Sequence, residues 1–537
     1  MMRDTFATKS GGKLASEMHY SSGSSSEGAL HHGDESVNRD EEEMARLGKR
    51  QELRRNFGFM SMLGFSCTLM ITWEGLLTVF VYGLTDGGPA GLVYGYLFCW
   101  LGYFTVVASL AEMVSMAPTA GGQYHWTFLF APKSCRNFLS FITGWQSVLS
   151  WQACLASAAY LGGTIIQGLL VLNYPTYNFQ RWHGTLLLYS VILLAMLFNT
   201  YLAKQLPTVE GAVLIVHIVG FFGVLITLVY LAPHGNAHDV FVLYLNNGGY
   251  DKGTSFFVGL ITTVFAFIGA DGAIHMSEEI KNASTVVPQS LMASIGLNGT
   301  MGFSMLIAIL FCIGDIDNAL SSSTGFPFIE IFHQAVKSTG GATAMSAIVL
   351  SLMIFATIAV LAAASRMMWA FARDNGLPGS RFISRVEPRT KLPLYSIAVS
   401  VIITLLLGLI NIGSSAAFNA VASLVVSGYL GSYTLPMLLL LYKKLFHPAS
   451  IHYGPWTLGR RLGIFCNVFG LVWIAIVMTF SFFPSVRTDL TPQTMNWSCL
   501  LWGGTMLIGV GSYFGHLRGR YNGPIVETDI MDQVRGV

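Results

Sequence analysis

The stretch TLMITWEGLL, residues 68–77, lies inside an apolar run that extends from about residue 60 to about residue 83. A helix over this run is long enough to cross a bilayer, because a helix rises ~1.5 Å per residue and the hydrocarbon core is ~30 Å thick. Glu74 lies near the middle of the run, where a carboxylate costs on the order of 2.5–3.5 kcal/mol. An acid at that depth usually faces a cavity or a partner, so the stretch predicts a membrane helix that carries a pathway or a binding site.

The composition is that of a polytopic membrane protein. The chain has 537 residues, of which 53% are hydrophobic and 11% charged, and its mean hydropathy is +0.56. Soluble proteins carry roughly 25% charged residues. The seven cysteines lie mostly inside apolar runs without pair-like spacing, which argues against a disulfide framework or a zinc site. No cleavable signal peptide is expected, because residues 1–56 are polar and hold nine Lys/Arg and ten Asp/Glu.

Twelve apolar segments are long enough to be membrane spans, and we number them from the first to the twelfth. They cover about 60–83, 90–114, 137–171, 184–203, 208–232, 254–277, 290–313, 342–371, 393–411, 416–442, 462–483 and 496–517.

The positive charges predict the orientation of these spans. With the N-terminal tail placed in the cytosol, the inner segments hold 26 Lys/Arg and the outer segments hold four. Cytoplasmic loops are enriched in Lys and Arg, so both termini are predicted to be cytosolic. The strong bias also supports the count of twelve spans, because one missed span would scramble the alternation.

The domain organisation follows from this pattern. Residues 1–56 are predicted to be a disordered cytosolic tail, in which 44–56 can form a short surface helix. Residues 57–520 form the transmembrane domain, and 518–537 form a cytosolic C-terminal tail.

The first and sixth spans each carry an acid in a glycine-containing stretch. The sixth contains FIGADGAIHM at residues 267–276, with Asp271 between two glycines. These spans lead two successive sets of five, and sets with an odd number of helices run in opposite directions through the membrane. The pattern is typical of an inverted repeat whose leading helices break at the midplane. It predicts repeats at about 57–232 and 250–442, followed by two extra helices within 460–517.

Several motifs carry a family resemblance over about residues 57–520. They are GGP at 87–89 with VYG at 93–95, AEM at 111–113, APTAGGQYHW at 117–126, AIHMSEE at 273–279, SSTGFP at 322–327 and FARDNGLP at 371–378. On these motifs the chain resembles the fungal amino acid/choline transporter family of the amino acid–polyamine–organocation superfamily. The resemblance implies an all-α fold of about twelve transmembrane helices with a five-plus-five inverted repeat. It also implies proton-driven uptake at the plasma membrane of choline, GABA-like amines, amino acids, polyamines or vitamin-like amines. Choline permeases look most similar.

One departure bears on the substrate. Many amino acid transporters of the superfamily hold the substrate carboxylate on a glycine-rich break in the first span, whereas this chain has Thr72, Trp73, Glu74 and Gly75 there. A carboxylate side chain would repel a substrate carboxylate. An acid beside aromatic rings suits a cation, for which cation–π contacts contribute ~0.5–2 kcal/mol.

The predicted substrate site therefore combines the two breaks with one aromatic residue of the third span. Its members are Thr72, Trp73, Glu74, Gly75, Trp151, Phe267, Ile268, Gly269 and Asp271. Glu74, Asp271 and His217 of the fifth span are the candidates for proton coupling.

Each of these residues also has a purely structural interpretation. Glu74 can bond unwound backbone, Asp271 can cap the second half of a broken helix, and His217 can pack between helices. Trp73, Phe267 and Trp151 can be ordinary packing residues. Glu112 and Gln123 are expected to serve the inner gate or loop packing, and the basic residues of 366–391 are interpreted as topology determinants.

The predicted function is secondary active transport by alternating access, with choline or a related amine as substrate and no cofactor or metal. The predicted partners are the amine or amino acid substrate, a proton for coupling and the lipid bilayer; no nucleic acid is expected. GABA or another amino acid is the alternative substrate, and a non-transporting nutrient sensor is the alternative of another class. An enzyme is not expected, because no catalytic constellation stands out.

Overall fold

The computed structural model describes residues 40–413, 415–488, 490–492 and 494–526, apart from the side chains of residues 415–420, 422 and 423. Within these ranges the chain is helical, and extended pairing is limited to two isolated bridges, Phe57 with Ile280 and Asp86 with Asn246. The predicted all-α membrane fold is confirmed. The tail predictions for residues 1–39 and 527–537 lie outside the described residues.

Every predicted span contains a helix. Ten helices among the described residues are long and apolar enough to cross a membrane. The sixth and twelfth spans hold shorter helical segments, Lys252–Phe265 and Ser498–Ser512. The other spans contain Phe59–Met70 with Thr72–Thr78 and Phe80–Thr85, Gly88–Met116, Arg136–Asn173, Arg181–Thr200, Leu206–Leu231, Ala283–Phe311, Thr339–Arg373, Leu394–Gly413, Ser415–Phe446 and Gly459–Phe480. Short helices connect some of them, at Gln123–Phe130, Ala237–Phe241, Ile316–Leu320, Pro327–Val336 and Ser380–Ile383.

The first span breaks at Ile71. This residue has φ 37° and ψ 49°, in the left-handed region, which is an outlier for a β-branched side chain. Such a conformation costs roughly 1–3 kcal/mol and persists only where the surrounding structure holds it. The sequence placed the break at residues 72–75, and in the structure it lies one residue earlier. Those four residues form the first turn of the next helix, because the Gly75 N–H already donates to the Ile71 carbonyl at 2.6 Å.

The sixth span breaks as predicted. Its first half ends at Phe265, residues 266–271 form turns, and helix resumes at Gly272–His275. Gly269 has φ 82°, and a Cβ there would lie 2.3 Å from the Leu69 side chain. Glycine is therefore required at this position both by the backbone conformation and by the approach of the first span.

Equivalent helices of the two predicted sets of five pack against each other. The second span packs on the seventh, and the third packs on the eighth. The first span lies against the fifth and seventh, while the tenth lies against the third. The two broken spans are consequently surrounded by long helices, so their unwound backbone is held inside protein, where it is tolerated in a membrane.

Residues 40–57 pack against one end of the helix bundle. Met44 and Leu53 are buried, and the N–H of Asn282 donates to Asp40 at 2.9 Å. The prediction of disorder up to residue 56 therefore does not describe residues 40–56, which fold because the loop after the sixth span supplies partners for their acids. The predicted surface helix lies earlier, at 40–46. We call this end of the bundle the tail end, and the opposite end, where Asp86 lies, the far end.

The contact between the first and fifth spans depends on Gly64. A Cβ at this position would lie 2.4 Å from the Glu210 carbonyl oxygen, which is backbone and cannot swing aside. We expect Gly64→Ala to lower the free energy of unfolding by about 1–3 kcal/mol, the usual cost of overpacking. Thermal denaturation of the detergent-purified protein measures this effect. Gly211→Ala, at a site with no atom within 4 Å, is the matched control. Equal stability of the two variants would contradict the prediction.

Candidate functional site

Glu74 and His217 form a buried pair beside the break of the first span. His217 Nδ1 lies 2.7 Å from Glu74 Oε1, and both side chains are fully buried. His217 Nε2 lies 3.2 Å from Asn298 Oδ1, and Asn298 Nδ2 donates to the Cys67 carbonyl at 2.9 Å. One polar chain thus links the first, fifth and seventh spans to the last turn before Ile71.

This hydrogen-bonded chain contains two titratable groups, the Glu74 carboxylate and the His217 imidazole. The second carboxylate oxygen of Glu74 has no hydrogen-bond partner among the described residues. Trp73 covers the pair, with its ring centroid 6.1 Å from those of both His217 and Phe221. A histidine bonded to a carboxylate in a low-dielectric site can hold or release a proton in response to small changes in its surroundings.

A second polar cluster surrounds Asp271. Gln123 Nε2 donates to Asp271 Oδ2 at 2.7 Å, and His275 Nε2 lies 3.4 Å from the same oxygen. His275 Nδ1 in turn lies 2.9 Å from the Ala120 carbonyl. Asp271 occupies the cap position of Gly272–His275, but its side chain makes no capping hydrogen bond. The acid therefore serves side-chain partners rather than the helix end.

Aromatic side chains enclose Asp271. Tyr103, Tyr429 and Tyr433 lie near its carboxylate. The Trp151 ring lies 5.3 Å from His275 and 5.1 Å from Tyr429, in both cases edge-on. Phe267 extends the same wall, 5.4 Å from Tyr103. We call this group the aromatic cage: Tyr103, Trp151, Phe267, Tyr429 and Tyr433.

The structure divides the predicted site residues between two places. Trp73 and Glu74 face the fifth span, and Thr72 faces the second and seventh spans at Tyr96 and Gly302. Gly75 lies 4.0 Å, measured from an ideal Cβ, from Ala266 in the sixth-span break. The remaining predicted residues lie in or beside the sixth-span break and the aromatic cage: Trp151, Phe267, Ile268, Gly269 and Asp271.

Sequence reasoning missed the three tyrosines and His275. His275 follows Asp271 by four residues, and Tyr433 follows Tyr429 by four, so each pair shares a helix face. The four-residue spacing within each pair can be read from the sequence. The packing of the second and tenth spans around Asp271 cannot, because their tyrosines meet Asp271 only in the folded bundle.

Buried ion pairs close the tail end. Arg373 binds Glu278 through two hydrogen bonds of 2.9 and 2.7 Å, and Arg366 Nε donates to Glu279 at 2.7 Å. The interpretation of Arg366 and Arg373 as simple topology determinants is therefore corrected. Both are buried or nearly so, and an unpaired charge there would carry a penalty of several kcal/mol.

A further ion pair joins the N-terminal segment to the eighth span. Lys49 Nζ lies 3.0 Å from Asp374, which also accepts from the Tyr124 hydroxyl at 2.7 Å and from the Ile525 N–H at 2.9 Å. Burial lowers the pKa of Lys49. Burial by itself would raise the pKa of Asp374, but the charges of Lys49 and Arg373 lower it below its usual value. Both tail segments thus converge on one carboxylate.

Glu112 and Gln123 were both expected to serve the inner gate or loop packing. Glu112 forms a buried ion pair with Lys444 and accepts from the Leu458 N–H at 3.1 Å, so it ties the second span to the tenth and eleventh. Gln123 instead donates to Asp271, within the candidate site.

A cavity of about 390 Å³ lies at the far end. It runs between the first, third, sixth, tenth and eleventh spans and reaches the surface at Phe483, which is 39% exposed. Val426 at its wall precedes Tyr429 by three residues, or ~4.5 Å along a helix. This cavity therefore ends about one helical turn from the aromatic cage. No group of three His, Cys, Asp or Glu in the described part of the chain is placed to hold a metal ion.

Comparison with known proteins gives one family. The amino acid permease family model matches residues 57–505. The choline transporter of Saccharomyces cerevisiae is 33% identical over 84% of this chain and 79% of its own. The GABA-specific permease of the same yeast is 29% identical over 94% of this chain and 88% of its own. A Macrophomina phaseolina protein, provisionally named an amino acid/polyamine transporter, is 32% identical over 81% of this chain and 96% of its own.

The pairing of Arg373 with Glu278 generates a stability prediction. Arg373→Met leaves Glu278 buried without its main partner, which costs about 3–5 kcal/mol. We expect this variant to denature at a clearly lower temperature in detergent, and the double variant Glu278→Gln with Arg373→Met to recover most of the loss. A double variant no more stable than Arg373→Met would show that the charge pair is not the cause.

Proposed function

The chain belongs to the amino acid permease family, and from this premise we propose that it takes up a small organic cation, with choline as the leading candidate. It is a multi-pass membrane transporter of the permease type. We further propose that uptake is coupled to protons and takes place at the plasma membrane, with both termini in the cytosol, as the distribution of Lys and Arg indicates.

The observation that carries the substrate class is the aromatic cage around Asp271. A buried carboxylate ringed by tyrosine and tryptophan attracts a cation through its charge and through the negative faces of the rings. A quaternary ammonium has no N–H to donate, so ring faces and one counter-charge satisfy it where hydrogen-bond acceptors would not. The cage lies at the break of the sixth span, in the middle of the bundle, where transporters of this architecture bind their substrates.

Asp271 suits the role of counter-ion better than Glu74, which the sequence favoured. Glu74 already has His217 at 2.7 Å, and the open cavity does not reach either of them. Asp271 has an amide donor and a nearby imidazole on one oxygen, and its other oxygen has no hydrogen-bond partner among the described residues, so a substrate cation can join it. We therefore place the substrate cation at Asp271.

Separate acids for the substrate cation and for the proton remove a difficulty of assigning both roles to Glu74. One carboxylate cannot balance a substrate cation and carry a coupled proton at the same moment. With the cation at Asp271, the Glu74–His217 pair is free to take up a proton from the far side and release it at the tail end. The pair contacts the break of the first span through Asn298 and Cys67, so its charge state acts on the segment that must move.

The two ends of the bundle support alternating access. The far end has an open cavity that stops near the cage, and the tail end is closed by the ion pairs of Glu278, Glu279 and Asp374. In the proposed cycle the cation enters from the far end. Breaking of the tail-end pairs and closure of the cavity then release it to the cytosol.

The first test is uptake of labelled choline, GABA and several amino acids in a permease-deficient yeast. Asp271→Asn removes the counter-charge and should lower choline kcat/KM by roughly 30-fold or more, because loss of a buried charge partner costs about 2–5 kcal/mol. Asp239→Asn neutralises a half-exposed acid of an outer loop and should leave uptake unchanged. Normal choline uptake by Asp271→Asn would refute the proposed site, and GABA uptake without choline uptake would favour the amino acid alternative.

The second test addresses proton coupling. Uptake is measured in vesicles with the membrane potential clamped and an imposed pH gradient, acid outside. Wild-type uptake should accelerate, whereas Glu74→Gln and His217→Gln should transport at a rate that does not respond to the gradient. Glu330→Gln, which neutralises an acid on the outer helix Pro327–Val336, is the control. If both variants still respond like the wild type, the proton is carried elsewhere.

A further inference from the structure

Asp86 is an acid at the far end that the proposed transport cycle does not use. It follows the last helical turn of the first span and is 2% exposed. Its Oδ1 accepts from the Ser255 hydroxyl at 3.1 Å, the Gly248 backbone lies close to the carboxylate, and Oδ2 has no hydrogen-bond partner among the described residues. Burial raises the pKa of Asp86 to about 6, and the Ser255 hydroxyl offsets part of the rise. The backbone of Asp86 forms an isolated antiparallel bridge with Asn246.

Asp86 lines the far-end cavity, and every other described residue of the lining is uncharged. The cavity wall is rich in aromatic residues. They come from the first, third, sixth and eleventh spans and from the segment before the twelfth: Tyr82, Tyr160, Phe265, Phe480, Phe483 and Trp497. A single carboxylate on an aromatic wall repeats, nearer the surface, the chemistry of the cage around Asp271. A volume of about 390 Å³ lies in the range of small-molecule sites.

The surroundings of Asp86 leave its charge without a cationic partner among the described residues. Tyr244 and Tyr250 are the titratable side chains within its electrostatic reach. Arg487 acts on Tyr250, and its backbone N–H donates to the Gly248 carbonyl at 2.7 Å, but Asp86 forms no ion pair with it. Asp251 lies on the same loop and bonds to Thr254. A carboxylate held at a cavity wall in this way is available to a cation from outside.

We propose that Asp86 and the aromatic wall of the far-end cavity form an outer subsite, where an organic cation binds before it passes to Asp271. This rests on the proposed function, since it requires a cationic substrate. The cavity extends from Asp86 toward Asp271 and stops short of it: its wall includes Phe265, six residues before Asp271, and Val426, about one turn from Tyr429. The subsite raises the local concentration of the cation at the entrance to the aromatic cage.

The subsite predicts a pH dependence of opposite sign to that of proton coupling. Above pH ~6 Asp86 is ionised and attracts the cation; as the pH falls through 6, the carboxyl group is protonated and the attraction is lost. The apparent affinity for substrate should therefore weaken in acid. The driving force for a proton symporter strengthens under the same conditions, so affinity and maximal rate move in opposite directions.

The experiment compares initial rates of labelled choline uptake at clamped membrane potential, at pH 7.5 and pH 5. Asp86→Asn keeps the shape and the Ser255 hydrogen bond but removes the charge. At pH 7.5 it should raise KM about tenfold, at the low end of the range for electrostatic steering, with maximal rate retained. Its KM should not change between the two pH values, whereas the wild-type KM should rise in acid. Asp251→Asn, which removes a nearby acid that does not line the cavity, is the matched control and should behave as wild type.

A second measurement covers the case in which Asp86→Asn does not fold. Trp497→Ala removes an aromatic face without changing charge and should also raise KM. Binding of tetramethylammonium to purified Asp271→Asn protein should persist at pH 7.5, weaken at pH 5, and be lost on adding Phe483→Ala and Trp497→Ala.

The outcomes separate the two proposals. If Asp86→Asn and Trp497→Ala have wild-type KM while Asp271→Asn is inactive, the outer subsite is wrong and the proposed function stands. If Asp271→Asn takes up choline normally, the proposed function fails, whatever the outer variants do. A wild-type KM that does not change between pH 7.5 and pH 5 also overturns the subsite.

Discussion

A carboxylate buried in a membrane bundle has to find a partner, and this requirement organises the structure. Glu112, Glu278 and Glu279 each pair with a lysine or arginine from a distant span. Those pairs hold the second, sixth, eighth and tenth spans together at the tail end. Glu74 and Asp271 differ, because their partners are histidine, glutamine and tyrosine rather than a permanent cation. The acids of these ion pairs are fully neutralised, whereas the two acids at the helix breaks are not, a property they share with Asp86 at the far end.

The breaks place these two acids in different surroundings. At Ile71 a single left-handed residue redirects the first span, and the turn that follows presents Glu74 to the fifth span. In the sixth span six residues of turn present Asp271 to rings from three other spans. One break thus faces a buried carboxylate–imidazole pair, and the other faces an aromatic enclosure. In the proposed cycle this separation lets a substrate cation and a proton be bound at once, which a single shared carboxylate would prevent.

Several predictions failed for the same physical reason, namely that the partner lies far away in sequence. Arg366 and Arg373 were interpreted as topology determinants. The sequence does not distinguish an arginine of a positively charged loop from one of a buried ion pair at the end of a span. The acidic segment around Asp40 has a composition typical of disorder, yet Asn282 and Ser284 provide the hydrogen bonds that order it. The predicted position of the first break, residues 72–75, was one residue off. Glycine usually marks where a helix unwinds, whereas here the helix breaks at Ile71, which its neighbours hold in a left-handed conformation.

The sequence by itself determined the membrane class, the position and order of the apolar spans, and the two acids with their flanking glycines. These features depend on local length, hydropathy and the cost of burying charge, all of which can be read along a single chain. The tertiary structure alone decided which acid meets His217, which acid meets the aromatic cage, and where the far-end cavity lies. Those outcomes depend on the packing of five or more spans, whose side chains meet only after the helices have assembled.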